Sequence, residues 1–441
     1  MKKLNLDKII YILILVIMIG IPVFKFLMYV PVINNINPYH VRRLRVYFFW
    51  ISIAGTLLVY LFSVISKERK ITYIDILVYF LIFSLFVSSS NAINFMKSIF
   101  GENARYEGFL TLVNYYLVLL NAKNIKEEKY KNGLLKCFIT LGIIQSFYAI
   151  YQSLTPYTFL NNKFSEGAHM AMGLCGNPNF FGAYMAMQLS IPTVLFIKEG
   201  KKKNLLIFIL FSIALYLASS TGPMIGFVLA FILIGIMNFK NYKRVLFLLV
   251  VFLLVSFGTD KAIRFTHKAN LKNYSPETYV ISNDIADTAV KIENKEIEAI
   301  GNGRIGLWKR SLPLVKKYWL TGCGLDNFRN ALPRDGTKQV YDKAHNVYLQ
   351  MAITNGVIPT LVYMFICLIV FLKGFKLKNK ESCALFMAFV SYCILAFANI
   401  SVIDVAPYFF IILGLLISET ESIKLFHRNK TLKIIGDVVK K

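Results

Sequence analysis

Residues 302–356 read NGRIGLWKRSLPLVKKYWLTGCGLDNFRNALPRDGTKQVYDKAHNVYLQMAITNG, and they begin in a long polar segment and end in an apolar one. This stretch concentrates Arg, Trp, Gly, Asn and one His within a chain that is otherwise mostly apolar. Hydrophobic residues make up 56% of the protein, and the mean hydropathy is +0.55. Such a composition is too apolar for an ordinary soluble protein. We therefore expect the stretch to be the chemical centre of an integral membrane protein.

Apolar runs of about 15–22 residues, separated by short basic loops, predict an all-α polytopic membrane protein with about twelve transmembrane helices. The net charge of +26 comes mostly from Lys and Arg in those loops. Basic loops are typical of the cytoplasmic side, so the charge is explained without nucleic-acid binding. The predicted spans are 9–30, 46–65, 72–89, a fourth that ends near 121, 134–152, a sixth that ends at 197, 205–218, 224–239, 245–257, a tenth that starts near His345, 382–398 and 407–417.

The domain organisation predicted from this pattern is a single membrane domain over residues 1–441. The basic N-terminus and the alternation of spans place both termini in the cytoplasm. Residues 259–344 then form a large, partly helical extracytoplasmic loop between the ninth and tenth spans. The basic tail, 421–441, is predicted to lie inside the cell, either as an interfacial helix or as a frayed segment.

Three arginines, Arg42, Arg43 and Arg45, contradict the loop-charge rule because they fall on the predicted outer side. Three interpretations are open: the first two spans are arranged differently, the arginines bind an anionic ligand, or they snorkel to outer-leaflet phosphates. We favour snorkelling.

Several functional classes are disfavoured by what the sequence lacks. Acidic residues such as Asp75 and Asp404 lie near span ends and not in the middle, which disfavours a proton-coupled pump or an ion channel. The chain has no phosphate-binding loop, no H-E-x-x-H and no G-x-S-x-G. It also lacks an Asp-rich site for a metal and a sugar nucleotide, so we expect no metal and no cofactor.

Arg304 and Trp308 are four residues apart and share one face if the segment is helical. Ile305, Trp308, Leu312 and Val315 would form the apolar stripe of a helix lying on the membrane surface. A guanidinium beside an aromatic ring suits a phosphate or diphosphate. The alternative is a surface helix whose arginine contacts only lipid headgroups.

Two further features have a chemical and a structural interpretation. The turn Gly322–Gly324 either presents backbone N–H groups to an anion or only reverses the chain. His345, followed by Asn346 and Tyr348, either accepts a proton from a sugar hydroxyl or is an ordinary interfacial histidine. Spacing alone does not decide between these alternatives.

The same stretch resembles the signature region of the bacterial O-antigen ligase and O-antigen polymerase membrane family. The shared pattern is R…W, then G-x-G-x-x-x-F, then H-N-x-[YF]-L and a Gly shortly afterwards. Upstream, ARYEGF (104–109) resembles the family's R-x-x-G, and GNPN (176–179) resembles a motif that precedes a span. The large loop also lies where the family has it.

The resemblance implies a GT-C-like, inverting, metal-independent membrane glycosyltransferase in the bacterial cytoplasmic membrane, with its active site outside. Such enzymes take a glycan from a polyprenyl (undecaprenyl) diphosphate carrier. The acceptor is a hydroxyl of a second carrier-linked glycan, of a lipid or wall component, or of a protein. Membrane lipids and other polysaccharide assembly proteins are the other expected partners.

The resemblance also assigns roles by motif position. Arg105 and Arg304 would hold the diphosphate, and His345 would activate the acceptor. The predicted substrate-binding residues are Asn177, Asn179, Trp308, Gly322, Gly324, Asn346 and Tyr348.

One departure concerns the turn between the seventh and eighth spans, where ligase-type members carry Ser-Arg. Here the turn is Ser219–Pro223, and Thr221 stands about where the Arg would be. We therefore favour a polymerase of capsule, exopolysaccharide or O-antigen-like repeat units, with a ligase as the alternative. Arg264, Arg310 or the Arg42–Arg45 cluster could replace the missing cation.

A transporter of polysaccharide or lipid-linked sugar is the alternative of another class, because about twelve spans is also a common transporter architecture. Repeat-built transporters show matching halves and polar breaks near the bilayer midplane. Neither is evident in this sequence.

The predicted topology can be tested with a reporter fused after Asn302. We expect an extracytoplasmic signal, because nine spans precede this residue and the N-terminus is cytoplasmic. A cytoplasmic signal would contradict the whole assignment, since Arg304 and His345 would then face the wrong compartment.

Overall fold

The computed structural model describes residues 5–28, 43–66, 68–103, 105–154, 170–270, 300–333, 341–421 and 423, without the side chains of 264–270 and 300–302. Over these ranges the protein is helical and contains no β-strand. The basic tail beyond residue 423 and Arg42 lie outside the described residues.

The described helices are α1 (Leu6–Leu27), α2 (Leu44–Ile65), α3 (Tyr73–Ser90), α4 (Phe95–Phe100), α5 (Phe109–Lys123), α6 (Glu128–Leu154), α7 (Pro178–Glu199), α8 (Lys202–Leu217), α9 (Thr221–Met237), α10 (Tyr242–Asn270), α11 (Ile300–Lys317), α12 (Phe328–Ala331), α13 (Val347–Thr354), α14 (Val357–Gly374), α15 (Lys380–Leu395) and α16 (Ala406–Thr420). A 3-10 turn, Phe239–Asn241, precedes α10.

Each of the twelve predicted spans coincides with one of these helices. Seven helical stretches are long and apolar enough to cross a membrane by length and composition: α1, α2, α3, α6, α7, α14 and residues Phe239–Ile263. The other five, α5, α8, α9, α15 and α16, are 15–17 residues long. The prediction of an all-α polytopic membrane protein is confirmed.

Helix α7 is the centre of the bundle, and its apolar span is buried along its whole length. It packs against α8, α9 and α15. Close packing between membrane helices needs small residues. A Cβ on Gly182 of α7 would lie 2.7 Å from Cγ of Pro223 in α9, so glycine is required at this crossing. The N-terminus of α7 carries the GNPN motif, and the central helix thereby fixes the position of that motif.

Arg43 is the N-cap residue of α2 and Arg45 lies in its first turn, and the structure does not show the predicted snorkelling for Arg45. Nε of Arg45 lies 2.9 Å from Oδ1 of Asp404, and both side chains are nearly buried. Arg43 donates to Oδ1 of Asn103 at 2.9 Å. Snorkelling is therefore wrong for Arg45, because its charge is compensated inside the protein by the loop before α16.

The tenth span also begins later than predicted. The chain forms the short helix α13, breaks at Gly356, and only then forms α14. Gly356 has a φ of +100°, and a Cβ there would lie 2.5 Å from the carbonyl oxygen of Leu320. The break exists because the backbone of another segment occupies the space beside Gly356. His345 therefore precedes a separate short helix and does not sit at the start of a span.

Gly356→Ala should lower the free energy of unfolding by roughly 1–3 kcal/mol, because alanine is strained at positive φ and its Cβ would meet the Leu320 carbonyl. Gly258→Ala is the matched control, since that glycine lies within α10 and the space that a Cβ would occupy there is open. The control should be neutral or stabilising by up to about 1 kcal/mol. Thermal unfolding in detergent measures both, and equal midpoints for the two variants would contradict the packing argument.

Candidate active site

Arg105 joins three segments at one end of the bundle. It lies in the loop between α4 and α5, and its Nε is 3.0 Å from Oδ2 of Asp342. Its guanidinium carbon lies 5.2 Å from the ring centroid of Phe180, in the first turn of α7. The R-x-x-G loop, the GNPN motif and the segment before α13 are thus brought into contact.

Arg304 lies in α11 and reaches the turn between α8 and α9. Its Nη1 is 3.9 Å from the position that a Cβ of Gly222 would occupy. The side chain is half-buried, and burial lowers the pKa of the guanidinium, although an arginine stays charged. Arg304 therefore places a cation beside the turn in which Thr221 replaces the expected arginine. Of the other candidates, Arg310 lies over the ring of Tyr341 at 5.6 Å.

His345 has a backbone φ of +51°, which is uncommon for a residue other than glycine. Its neighbours hold this conformation. Trp308 donates from Nε1 to the carbonyl of Ala344 at 2.9 Å, and Ala344 N–H donates to Oε1 of Gln350 at 2.8 Å. On the other side, Val347 N–H donates to the carbonyl of Ala396 at 2.8 Å. Strained residues that are held from both sides are typical of functional sites.

The pKa of His345 lies below its ordinary value. Burial is the main cause, and the positive charge of Arg304 lowers the pKa further; Asp342 raises it, and Arg105 lowers it again. Contacts of neighbouring residues place both arginines near His345: Arg105 pairs with Asp342, three residues before His345, and Trp308, one turn after Arg304, donates to the carbonyl of Ala344. The structure brings together the three residues predicted as catalytic, and it favours the neutral imidazole at neutral pH, the form that accepts a proton.

The three predicted asparagines stabilise helix termini around this cluster. Asn177 caps α7 and accepts from Asn179 N–H at 2.9 Å. Oδ1 of Asn179 accepts from the hydroxyl of Ser220, which ties the GNPN motif to the α8–α9 turn. Asn346 caps α13 and accepts from Leu349 N–H at 3.0 Å. These bonds shape the site, and direct contact of the asparagines with a substrate stays a prediction.

Helix α11 exists as predicted, but its buried face differs from the predicted stripe. The buried residues among those whose side chains are described are Gly306, Leu307, Ser311 and Leu314, whereas Leu312 is 60% exposed. The buried face of α11 is thus shifted by about one residue from the predicted apolar stripe. The reason is tertiary, because α11 packs on α13 and not only against a flat surface.

Gly322 and Gly324 lie where the backbone of one segment meets another. Both have positive φ, and a Cβ would be 2.2 Å from the carbonyl oxygen of Thr354 or 2.3 Å from Cβ of Ala92, respectively. The intervening Cys323 N–H donates to the carbonyl of Ile353 at 2.9 Å. These contacts favour the interpretation that the turn reverses the chain, and they leave anion binding by its amides unsupported.

Tyr348 points toward α15, where its hydroxyl donates to the carbonyl of Cys393 at 2.9 Å. Its ring packs on Phe397 with the centroids 4.6 Å apart. The geometry is that of a packing residue, and binding of substrate by Tyr348 stays a prediction.

Four charged residues of this region were missed at the level of sequence: Glu107, Asp326, Asp342 and Lys343. Asp342 pairs with Arg105. The other three residues are buried, and Lys343 pairs with Asp326. The predictions from sequence considered acidic residues only as metal ligands or as charges in the middle of a span, so these loop residues had no predicted role. A signal was present, since Glu107 lies inside ARYEGF and Asp326 inside GLDNF.

A cavity of about 90 Å³ lies among these buried charges, and Glu107, Tyr115, Asp326, Lys343, Gln350 and Ser401 are part of its lining. The Tyr115 hydroxyl donates to Oε1 of Glu107 at 2.5 Å. Burial raises the pKa of Glu107, and the nearby Lys343 ammonium opposes that rise. The segments that carry Arg105 and His345 thus also line the cavity.

Comparison with known proteins agrees with this geometry. Residues 206–364 match the family model described as O-antigen ligase, and the predicted resemblance is confirmed over this part of the chain. The matched region contains Arg304, Trp308 and His345, whereas Arg105 lies outside it. No curated protein matches the chain significantly. The family match supports a glycan-transferring, multi-pass membrane enzyme.

The electrostatics of the cluster can be tested by histidine NMR in detergent, with the His345 signal assigned by its loss in His345→Gln. We expect a pKa below about 6.5. Asp342→Asn should lower it further because a negative charge is lost, and Arg304→Gln should raise it because a positive charge is lost. Shifts of the opposite sign would show that His345 does not lie in the field of these groups.

Proposed function

We propose that the protein transfers a glycan from a polyprenyl diphosphate carrier to an acceptor hydroxyl outside the cytoplasmic membrane, and that it polymerises surface polysaccharide repeat units. The observation that carries the proposal is the convergence of Arg105, Arg304 and His345 from three distant segments. The match to the O-antigen ligase family supports glycan transfer as the reaction class.

The two arginines are suited to the leaving group. Bond cleavage at the sugar carbon next to the diphosphate leaves additional negative charge on the diphosphate oxygens. Guanidinium groups pair with such oxygens in two-point geometry, and fixed cations in a water-poor site stabilise the developing charge without reorganisation. Diphosphate is already a good leaving group, so this mechanism needs no metal.

His345 is suited to the acceptor. A neutral imidazole can take the proton of the attacking hydroxyl as the new glycosidic bond forms. One direct displacement inverts the configuration at the sugar carbon, whereas retention would need a second, nucleophilic carboxylate. Asp342 is engaged by Arg105, which argues against such a role for the acidic residue of the cluster.

A groove of about 440 Å³ between α14 and α15 supports a lipid-linked donor. Its lining is apolar and includes Tyr348, Leu361, Phe365, Leu368 and Phe397. Four of these side chains are exposed at the protein surface, where the bilayer would lie. Because Tyr348 is three residues from His345, an isoprenoid chain in the groove would hold its diphosphate near the cluster.

Polymerisation is favoured over transfer to another acceptor by the start of α9, where Thr221 stands in place of the arginine of ligase-type members. A second candidate function is transfer to a lipid, wall or protein acceptor. It is favoured by the description of the matched family as a ligase. The two functions differ only in the acceptor and use the same cationic cluster.

His345→Ala should lower formation of long-chain glycan in cells by about 100-fold or more, because the general base is lost. His427→Ala, a histidine of the predicted cytoplasmic tail, is the matched control and should leave the product unchanged. Glycan length is scored by gel electrophoresis at equal membrane content of each protein. Normal chain length in His345→Ala would exclude a catalytic role.

Polymerase and ligase activity can be separated in vitro with carrier-linked glycan extracted from cells that lack the gene. We expect the purified protein alone to convert it into a ladder of longer carrier-linked chains. A ladder that is absent until a lipid, wall or protein acceptor is added would contradict polymerisation and support the second candidate.

A further inference from the structure

Asp326 follows the Gly322–Gly324 turn, and its carboxylate is fully enclosed. Oδ2 accepts the backbone N–H of Glu102 at 2.6 Å and that of Glu107 at 3.2 Å. These two amides bracket the short loop that carries Arg105. One carboxylate oxygen therefore holds both ends of the Arg105 loop.

The second oxygen of the same carboxylate holds the other side of the site. Oδ1 of Asp326 lies 2.5 Å from Nζ of Lys343, which is also buried. Lys343 is two residues before His345. The residue that precedes Lys343, Asp342, pairs with Arg105 at 3.0 Å. The contacts form a closed ring that runs through both loops and returns to Asp326.

The segment that carries Asp326 is itself firmly anchored. Leu325 N–H donates to Oγ of Ser98 at 2.9 Å. Asn327 accepts from Asn94 N–H at 3.0 Å and donates to the Asn94 carbonyl at 3.1 Å. Asp326 thus belongs to a fixed backbone and can impose a position on the loops that it contacts.

We propose that Asp326 is a positioning residue that sets the distance and orientation between Arg105 and His345. It acts through the two loops and does not touch the substrate. A buried carboxylate needs a cation and hydrogen-bond donors. Lys343 supplies the cation from one loop and the amides of Glu102 and Glu107 supply the donors from the other, so the two loops lie side by side. The proposal rests on the proposed function only for its effect on the reaction, because the positioning itself is a property of the fold.

Asp326→Asn is the informative variant. Asp326 has a φ of +56°, and asparagine tolerates this left-handed conformation better than most residues. The amide keeps the shape of the side chain and one acceptor oxygen. It removes the negative charge, and so leaves the Lys343 ammonium buried without its partner.

Asp75→Asn is the matched control. Asp75 is a buried carboxylate 2.5 Å from Nζ of Lys123, and it accepts the backbone N–H of Thr72 at 2.6 Å. It therefore has the same kinds of partner as Asp326 but lies at the start of α3, away from the cluster. A general effect of losing a buried Asp–Lys pair would appear in both variants, although Lys123 keeps a second carboxylate partner, Oε1 of Glu421 at 3.1 Å.

The test is hydrogen–deuterium exchange of the purified full-length protein in detergent, read on peptides that cover 102–107 and 343–347. Asp326→Asn should speed exchange about tenfold in both peptides, which corresponds to the loss of one hydrogen bond or ion pair. Asp75→Asn should change neither. Exchange along α7 reports global unfolding and should be the same in all variants.

The decisive result is the 343–347 peptide, because the direct contact of Asp326 with that loop is its ion pair with the Lys343 side chain. Faster exchange confined to 102–107, or in neither peptide, would overturn the proposal. Lys343→Met provides a second variant if Asp326→Asn does not fold. It should loosen 343–347 and leave the backbone bonds of 102–107 intact; an unchanged 343–347 peptide would again overturn the proposal.

A measurement of turnover distinguishes a failure of this inference from a failure of the proposed function. With carrier-linked glycan from cells that lack the gene, Asp326→Asn should lower the rate about 100-fold, as expected for a misplaced catalytic group. In an Arg105→Gln background the same change should add little, because the group that it positions is already lost. Faster exchange in both loops with normal turnover would support the structural role and contradict the assigned active site. Full additivity of the two rate losses in the double variant would overturn positioning through Arg105.

Discussion

Two guanidinium groups and an imidazole lie close together at one end of a helical bundle, and their mutual repulsion is the constraint on which the site depends. Of the described groups, Asp342 compensates Arg105 directly, while Arg304 is half-buried and the lowered pKa of His345 favours its neutral form. The cluster therefore keeps an excess of positive charge in a partly water-excluded place. An arrangement of this kind is stabilised by an anionic ligand, and a lipid diphosphate supplies the charge, the geometry and an apolar anchor.

The fold supports the cluster in two ways: through a rigid helical bundle and through a layer of paired, buried charges. The buried helix α7 and its neighbours provide a rigid bundle, and the bundle presents its asparagine-capped termini toward the cluster. A layer of compensated charge below the arginines, formed by Asp326, Lys343 and Glu107, holds the loops without exposing further charge to a substrate. In the proposed mechanism, Arg105, Arg304 and His345 would face the substrate, and the buried charged residues would position them, as catalysis by orientation and fixed charge requires.

The sequence predicted the helices well because hydropathy and length are local properties, and every predicted span has its helix. It failed where distant segments decide the outcome. Gly356 breaks the tenth span because the carbonyl of Leu320 lies beside it, and Arg45 is buried because Asp404 reaches it from the loop before α16. The central site residues came from motif resemblance and not from spacing. The GLDNF motif marked Asp326, but its role could not be predicted, because it accepts from backbone amides of a segment more than two hundred residues away.

The central claim is that Arg105 and Arg304 together bind a lipid diphosphate, and native mass spectrometry of the purified protein with undecaprenyl diphosphate tests it directly. Wild-type protein should retain undecaprenyl diphosphate and release undecaprenol, which has the same chain without the charge. Arg105→Gln/Arg304→Gln should weaken binding of the diphosphate by at least about tenfold. Arg329→Gln, which changes an exposed arginine of α12, is the matched control and should bind like wild type. Equal retention of undecaprenyl diphosphate by the double variant and the control would contradict the account.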